Sequence, residues 1–298
     1  MSATPAAVAA PPGPAEPTPT KLHRRRKSPL RPRYLKLHAV LVYLFLFAPI
    51  IVLVVFSFNR GRSGTKFTGF STRWYDDLVH NDAALAAFRN TLKVGISATI
   101  VATIIGTLAA FALTRFKFSG RTAYSTLIFI PLVIPEVVMG VSLLAFFVQF
   151  VGVQLSLRTV ILSHITFCIS FVIVVVKARL ASFDDRLIEA AADLGATPVQ
   201  TFVRVMLPLA APGIAAGAML AFTISLDDVV ITFFTAGVGS TTLPLYIFGQ
   251  LKVGVSPAIN ALSSFVLLFS VVLLGIGALL SRRAAKRGAG AVDVTALG

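Results

Sequence analysis

Three acidic side chains lie inside stretches of sequence that are otherwise apolar. They are Glu136, Asp227 and Asp228, out of 12 Asp and Glu residues in the chain. At the centre of a bilayer an ionised side chain costs about 2.5–3.5 kcal/mol on insertion scales, so three of them need compensation. They could line a polar pathway and lower the barrier for a cation. They could equally cap broken helices, pair with a neighbour or lie near the membrane interface, and the residues alone leave both interpretations open.

No pattern typical of an enzyme accompanies these acids. The stretch 61–66 has the wrong glycine spacing to cradle phosphates, the four histidines are not spaced as metal ligands, and no Gly-x-Ser-x-Gly turn is present. His164 lies in an apolar run and is expected to be a hydrogen-bonded packing residue rather than a proton relay. Cys168 is the single cysteine, which rules out a disulfide framework. We therefore expect no catalytic site, cofactor or metal in this chain.

The composition is typical of a protein that lies mostly within a membrane. The chain is 56% hydrophobic and 13% charged, and its mean hydropathy is +0.85. Each apolar run is close to the ~20 residues that cross a bilayer, and such runs must be helical because lipid cannot satisfy backbone polar groups. The sequence thus predicts an all-α integral membrane protein with six transmembrane helices, near residues 37–58, 92–113, 124–149, 159–178, 211–235 and 258–280.

The positive charge is distributed unevenly between the two sides that six spans define. Nineteen of the 27 Lys and Arg residues fall in segments on the side of the termini. The positive-inside rule then places both termini in the cytoplasm. Since the net charge of +15 is explained by topology, the case for nucleic-acid binding is weak. We expect a disordered Pro/Ala-rich and then basic tail over 1–36, a membrane domain over 37–281 and a cytoplasmic tail over 282–298.

Two of the six runs contain signals that break a helix. The third includes Pro131 and Pro135, just before Glu136. Two prolines four residues apart remove two helical hydrogen bonds, so this span should kink or break. The fifth includes Asp227 and Asp228, and the connection after it, 236–257, is rich in Gly and Pro. Irregular backbone at membrane depth is tolerated where it lines a cavity or is buried in protein.

A polar segment between the fourth and fifth runs, residues 182–208, is predicted to form two short helices. Ser182 and Asp185 have the spacing of a capping box for the first helix, and Gly195 is placed where a left-handed residue would end it. Thr197 and Pro198 fit the N-cap and first position of the second helix. Leu207 and Pro208 are expected to end that helix. The predicted apolar stripes are Phe183, Leu187, Ala190, Ala191 and Leu194 on the first helix, and Val199, Phe202, Val203 and Met206 on the second.

This segment resembles the signature loop of ABC-importer permeases. The family pattern of Glu-Ala-Ala, three residues, Gly, nine residues, Ile, one residue and Leu-Pro is matched at every spacing, with Val in place of Ile. The matching residues are Glu189, Ala190, Ala191, Gly195, Val205, Leu207 and Pro208. The resemblance implies the MetI-like permease fold and a cytoplasmic coupling helix that docks on a separate ATPase. It also implies the partners: two ATPase copies that bind ATP and Mg, a second permease and an outside solute-binding protein.

Two further stretches resemble permeases of spermidine/putrescine importers. They are residues 131–140, which include Glu136, and residues 225–231, which include Asp227 and Asp228. This resemblance implies a polyamine as the solute and these acids as part of its pathway. Related permeases for iron, phosphonate-type or amino-acid-like solutes share much of the pattern, so these remain alternatives.

Two other classes of protein also remain possible. An ion-driven secondary transporter would share the membrane acids and broken helices, although it has no reason to contain the loop at 182–208. A membrane-embedded enzyme would need a nucleophile, a base or a metal cluster, and the sequence shows none of these.

Overall fold

The computed structural model describes residues 32–62, 64 and 66–290, and gives the backbone alone for 32, 33, 278 and 280–290. Of the tails predicted over 1–36 and 282–298, residues 1–31 and 291–298 lie outside the described residues. The helices are α1 Pro32–Ser57, α2 Arg73–Val79, α3 Asp82–Arg115, α4 Arg121–Val133, α5 Glu136–Ala145, α6 Leu157–Leu180, α7 Arg186–Asp193, α8 Pro198–Thr201, α9 Leu207–Asp227, α10 Val230–Thr235, α11 Leu243–Val253 and α12 Pro257–Gly290. Two π-helical segments, Phe146–Val151 and Phe202–Met206, follow α5 and α8.

The expectation of an all-α membrane fold is confirmed. Within the described residues, five helices are long and apolar enough to cross a membrane, or six if a bent pair counts as one span. The pair consists of α4 and α5, which meet at an angle of 109°. The break comes at Ile134 and Pro135, whose backbone is extended with ψ angles of 133° and 135°. The helix continues through Pro131, so of the two prolines only Pro135 coincides with the break.

The chain divides into two compact units, residues 1–49 and 50–298. In the first unit, the described side chains are almost all exposed and apolar, as Leu44 (65%) and Phe45 (79%) show. Such a surface is stable in lipid, because lipid tails are as apolar as the leucine and phenylalanine side chains that face them.

The core of the second unit is formed by α3, α6 and α9. Its buried side chains include Val172, Val176 and Cys168 of α6, Ala102 of α3 and Ala221 of α9. Small residues allow the helix backbones to approach closely, as they commonly do in membranes. A Cβ on Gly106 of α3, for example, would lie 2.8 Å from the side chain of Val172.

The fifth span begins earlier than predicted and is broken near its end. Helix is continuous from Pro198 to Asp227, a length of 30 residues. Asp228 is extended with ψ 131°, and the short helix α10 begins at Val230. The fifth span is thus a long helix and a six-residue half-helix separated by Asp228 and Val229.

Candidate functional site

The first helix of the loop begins later than the sequence suggested. The proposed capping box on Ser182 is wrong, because α7 starts at Arg186. The Ser182 hydroxyl instead donates to the Arg179 carbonyl at 2.7 Å, in the last turn of α6, and this carbonyl also accepts from the Ser182 amide at 3.2 Å. Asp184 instead supplies the side-chain acceptor at the start of α7, where its Oδ1 accepts a hydrogen bond from the Arg186 amide at 3.0 Å.

The turn between the two loop helices forms as predicted. Gly195 has φ +78°, the left-handed conformation that favours glycine. Its amide donates to the Ala192 carbonyl at 2.9 Å and the Ala196 amide to that of Ala191 at 3.0 Å, the pairing of a Schellman motif. Thr197 then caps α8: its Oγ1 accepts from the Gln200 amide at 3.3 Å, and the Gln200 side chain accepts from the Thr197 amide at 2.9 Å.

Leu207 and Pro208 do not end the second loop helix, contrary to expectation. The π-helical turn Phe202–Met206 precedes them, and Pro208 stands at the second position of α9. The Leu207 amide donates to the Phe202 carbonyl, five residues earlier, so the winding has already changed where Pro208 lacks an amide. Leu207 and Pro208 therefore mark the change from a π-helical turn to the α-helix α9, and not the end of a helix. As a result, the loop is joined to the fifth span by one continuous helix.

The first loop helix buries a different face from the one predicted, and the second buries only part of its predicted stripe. The half-buried Phe183, Ile188 and Phe202 pack against the core, and Met206 is buried (8% exposed). Of the other six members of the predicted stripes, the four large side chains remain largely exposed: Leu187 (48%), Leu194 (89%), Val199 (71%) and Val203 (50%). The sequence did not indicate that Ile188 packs inward, because periodicity alone does not show which side of α7 meets the core. The loop thus presents apolar side chains outward.

A cleft of about 630 Å³ lies between the loop and the end of α3. Phe111 and Arg115 of α3 line it together with Ile188 and Glu189 of α7. Phe111 meets the Phe202 ring edge-on with 4.9 Å between centroids. Arg115, only 19% exposed in its side chain, forms an ion pair with Asp185, which is 73% exposed. Nothing in the sequence indicates that Arg115 has this partner 70 residues away.

The three acids at membrane depth have different surroundings. Glu136 is the exposed first residue of α5, where a carboxylate is favoured by the helix dipole. Asp227 is exposed at the end of α9 and borders a cavity of about 230 Å³ with Phe222, Ser270 and other residues of α9 and α12. Asp228 is in the interior, with a side chain that is 5% exposed. The structure thus places two of the predicted pathway acids on the surface of the chain and the third inside it.

Hydrogen bonds compensate the buried carboxylate of Asp228. It accepts from the amides of Ile231 and Thr232 at 3.2 and 2.9 Å, and from the Thr232 hydroxyl at 2.8 Å. His164, 2% exposed in its side chain, lies with Nε2 3.3 Å from the carboxylate. Its ring also contacts the hydroxyls of Thr232 (3.0 Å) and Ser225 (2.7 Å). Asp228 therefore caps α10, and His164 is the hydrogen-bonded packing residue that the sequence predicted.

Comparison with known proteins identifies the family. Residues 102–286 match the family described as "Binding-protein-dependent transport system inner membrane component". The spermidine/putrescine transport system permease protein PotC of Escherichia coli K12 is 43% identical over 251 residues, covering 84% of this chain and 95% of PotC. The E. coli K12 putrescine permease PotI is 42% identical, covering 76% and 83%. The chain therefore belongs to the family of inner-membrane components of binding-protein-dependent transport systems and is a permease subunit of an ABC importer.

Solved structures agree with this fold. A bacterial ABC transporter involved in alginate import matches 84% of this chain and 95% of its own chain, with a TM-score of 0.69 at 20% identity. The MetNI methionine ABC transporter in an inward-facing conformation matches 72% and 99%, with a TM-score of 0.57 at 20% identity. These structures show the fold, and the family and relatives above make the chain a multi-pass inner-membrane transport subunit.

Proposed function

We propose that this permease forms half of the pathway of an importer for polyamines such as spermidine or putrescine. The main support is the 43% identity to a spermidine/putrescine permease along 95% of that protein. The exposed acids Glu136 and Asp227 support it independently. Negative charge at membrane depth lowers the barrier for a polycation and raises it for an anion.

The loop of α7 and α8 is proposed to dock on an ATPase subunit in the cytoplasm. Its exposed apolar side chains, of which Leu194 is the most exposed, suit a helix that inserts into a partner's groove. Glu189, Gly195 and Pro208 also match the signature-loop pattern of the family, which supports the same assignment. Because one helix runs from Pro198 to Asp227, a displacement of the docked loop would be transmitted along the fifth span to its break.

The remaining parts of the importer follow from this assignment. Two ATPase copies would bind ATP and Mg, a second permease would complete the pathway, and an outside binding protein would deliver the solute. One structural relative is an alginate ABC transporter in complex with a periplasmic protein. The excess of basic residues on the side of α7 supports a cytoplasmic location for this loop and for both termini.

Uptake by the assembled complex tests the solute. The permease pair, the ATPase and the binding protein are reconstituted in lipid vesicles, and labelled spermidine is followed with and without ATP. We expect ATP-dependent accumulation that excess putrescine inhibits and excess sulfate does not. Sulfate is a useful competitor because a Salmonella sulfate permease is 33% identical to this chain. ATP-dependent uptake of sulfate or an amino acid without uptake of spermidine would overturn the proposal.

A further inference from the structure

A single imidazole connects the two sides of the break in the fifth span. Ser225 lies in the last turn of α9, before the break, and its Oγ is 2.7 Å from Nδ1 of His164. Thr232 lies in α10, after the break, and its Oγ1 is 3.0 Å from Nε2 of the same ring. His164 belongs to α6, so a neighbouring helix holds both ends of the break.

One arrangement of protons satisfies every group in this cluster. The Ser225 hydroxyl donates to Nδ1 of a neutral His164 ring, and Nε2–H donates to the Thr232 hydroxyl oxygen. The Thr232 hydroxyl in turn donates to Asp228, whose Oδ2 is 2.8 Å away. Both His164 and Asp228 are nearly fully buried. Removing the imidazole would therefore leave the Ser225 and Thr232 hydroxyls each short of a partner, which is costly at a buried site.

The half-helix α10 depends on such external contacts. It has six residues, far fewer than the ~12–15 that an isolated helix needs to be even marginally stable in water. Besides the His164 cluster, the Thr159 hydroxyl of α6 bonds to the Thr235 carbonyl at the end of α10, at 2.7 Å. The side chains of α6 thus fix both the beginning and the end of α10.

The position of the break also decides which of two adjacent acids faces outward. Asp227 ends α9 and is exposed, whereas Asp228 turns inward to cap α10. Adjacent residues at a helix end point in different directions, so fixing the Asp228 carboxylate fixes the direction of Asp227 as well. If the His164 cluster were absent, the non-helical backbone at the break, where Asp228 is extended, could rotate, and Asp227 would lose its fixed orientation.

We propose that His164 is a positioning residue of the permease. It holds the broken fifth span with Asp228 inward and Asp227 outward, at the cavity bordered by Phe222 and Ser270. His164 does not contact the solute but acts through Asp227. This inference rests on the proposed function in one respect, namely that Asp227 meets a cationic solute. The clamping of the break by His164 is independent of the solute.

The first test measures the break without any solute. Cys168, the single cysteine, is replaced by Ala, and Val229→Cys is introduced as a reporter in the break. Alkylation of this cysteine is then timed in the assembled complex. We expect His164→Ala to raise the alkylation rate about tenfold, since the opening of the break becomes easier when buried hydrogen bonds are lost. His164→Gln, which keeps a donor towards Thr232, should restore slow alkylation in large part.

Ser163→Ala provides the matched control for this experiment. Ser163 is adjacent to His164 and fully buried, yet its hydroxyl bonds only to the Thr159 carbonyl of its own helix at 2.8 Å. In the Ser163→Ala variant, the reporter cysteine at position 229 should be alkylated at the same rate as without this substitution. Equal rates in His164→Ala and Ser163→Ala would overturn the clamp.

The second test asks whether His164 acts through Asp227. Spermidine transported per ATP hydrolysed is measured for His164→Ala, Asp227→Asn and the double variant. We expect each single change to lower this ratio about fivefold and the double variant to be no worse than either, because residues that act as one unit are not additive. If the double variant instead loses as much as the product of the two single losses, the claim that His164 acts through Asp227 is overturned. Absence of spermidine uptake by the unsubstituted complex would instead overturn the proposed solute, and the alkylation result would still decide on the clamp.

Discussion

The loop at 182–208 and the break at Asp228 and Val229 combine polarity and exposure in opposite ways. The loop is a polar stretch of sequence that exposes apolar side chains, such as Leu194 (89% exposed). The break lies in an apolar stretch and buries polar side chains, such as His164 and Asp228. Each arrangement is unfavourable by itself: exposed apolar side chains are costly in water, and buried polar side chains are costly without hydrogen-bond partners. The loop is stabilised if a partner covers it, whereas the break already has its partners within the chain.

The two regions also differ in how far apart their determinants lie. In the loop, the hydrogen bonds that fix Gly195 and Thr197 join residues three to five positions apart. At the break, His164 bonds to residues 61 and 68 positions away. The comparison teaches that the loop can be altered locally without disturbing the core, while a change at the break reaches three helices.

The largest effect is expected from Gly195→Asp. Apart from its own chain neighbours, no atom of the described residues lies within 4 Å of a Cβ at this position, so folding should lose only about 1–2 kcal/mol for the left-handed backbone. An unpaired charge on a docked surface costs about 2–5 kcal/mol, so ATP-driven uptake should fall at least about tenfold while membrane insertion is normal. The measurement is vesicle uptake with the amount of inserted protein quantified.

Gly120→Asp is the control for this prediction. Gly120 is also left-handed, with φ +87° and open space around it, but lies in the turn before α4. This variant should retain uptake. Equal loss in both variants would show that backbone strain or charge, and not docking, is responsible.

The adjacent acids should respond differently to neutralisation. Asp227→Asn should lower spermidine uptake about fivefold, the equivalent of ~1 kcal/mol for a partly solvated charge pair, with unchanged thermal stability. Asp228→Asn should instead lower stability by about 1–3 kcal/mol, because an amide donor replaces an oxygen that accepts buried hydrogen bonds. Thermal unfolding of the purified complex together with uptake separates the two. The reverse pattern would contradict the assignment of Asp228 to the interior.

Arg115→Gln should have a moderate effect on coupling. It removes the ion pair with Asp185 that ties the loop to α3. Because Asp185 is mostly exposed, the pair contributes no more than ~1 kcal/mol, and uptake per ATP hydrolysed should fall about two- to fivefold. Asp185→Asn is the matched change on the other partner and should reproduce the effect of Arg115→Gln. If neither alters coupling, the loop is held to α3 by its apolar contacts alone.

The smallest effect is expected at Thr197. Replacement by Ala removes the side-chain acceptor of the α8 capping box, a loss of about 1 kcal/mol. Amide hydrogen exchange should become faster at the beginning of α8, with uptake reduced by less than about twofold. Thr197→Ser keeps the hydroxyl and should show neither change. Protection that persists in Thr197→Ala would mean that the core contacts of Phe202 hold this end without the cap.

The same contrast explains what could be predicted from the sequence. Apolar run lengths, Pro135 and Gly195 act through local backbone geometry, and the helices, the break and the loop turn were predicted from them. The stop at Pro208 was wrong because a π-helical turn accommodates the proline, and periodicity did not distinguish Leu187 from Ile188 as the inward residue. The ion pair of Arg115 and the partners of His164 depend on tertiary packing, for which a single sequence contains no signal.

Site-specific crosslinking tests most directly the claim that the loop couples this permease to an ATPase. In the Cys168→Ala background, a photoreactive group is attached to Leu194→Cys in the loop or to Val238→Cys, an exposed residue in the connection after α10. We expect the ATPase to be crosslinked from position 194 and not from position 238. Crosslinking of the ATPase from 238, or from neither position in a complex that hydrolyses ATP, would contradict both the docking surface and the orientation of the chain.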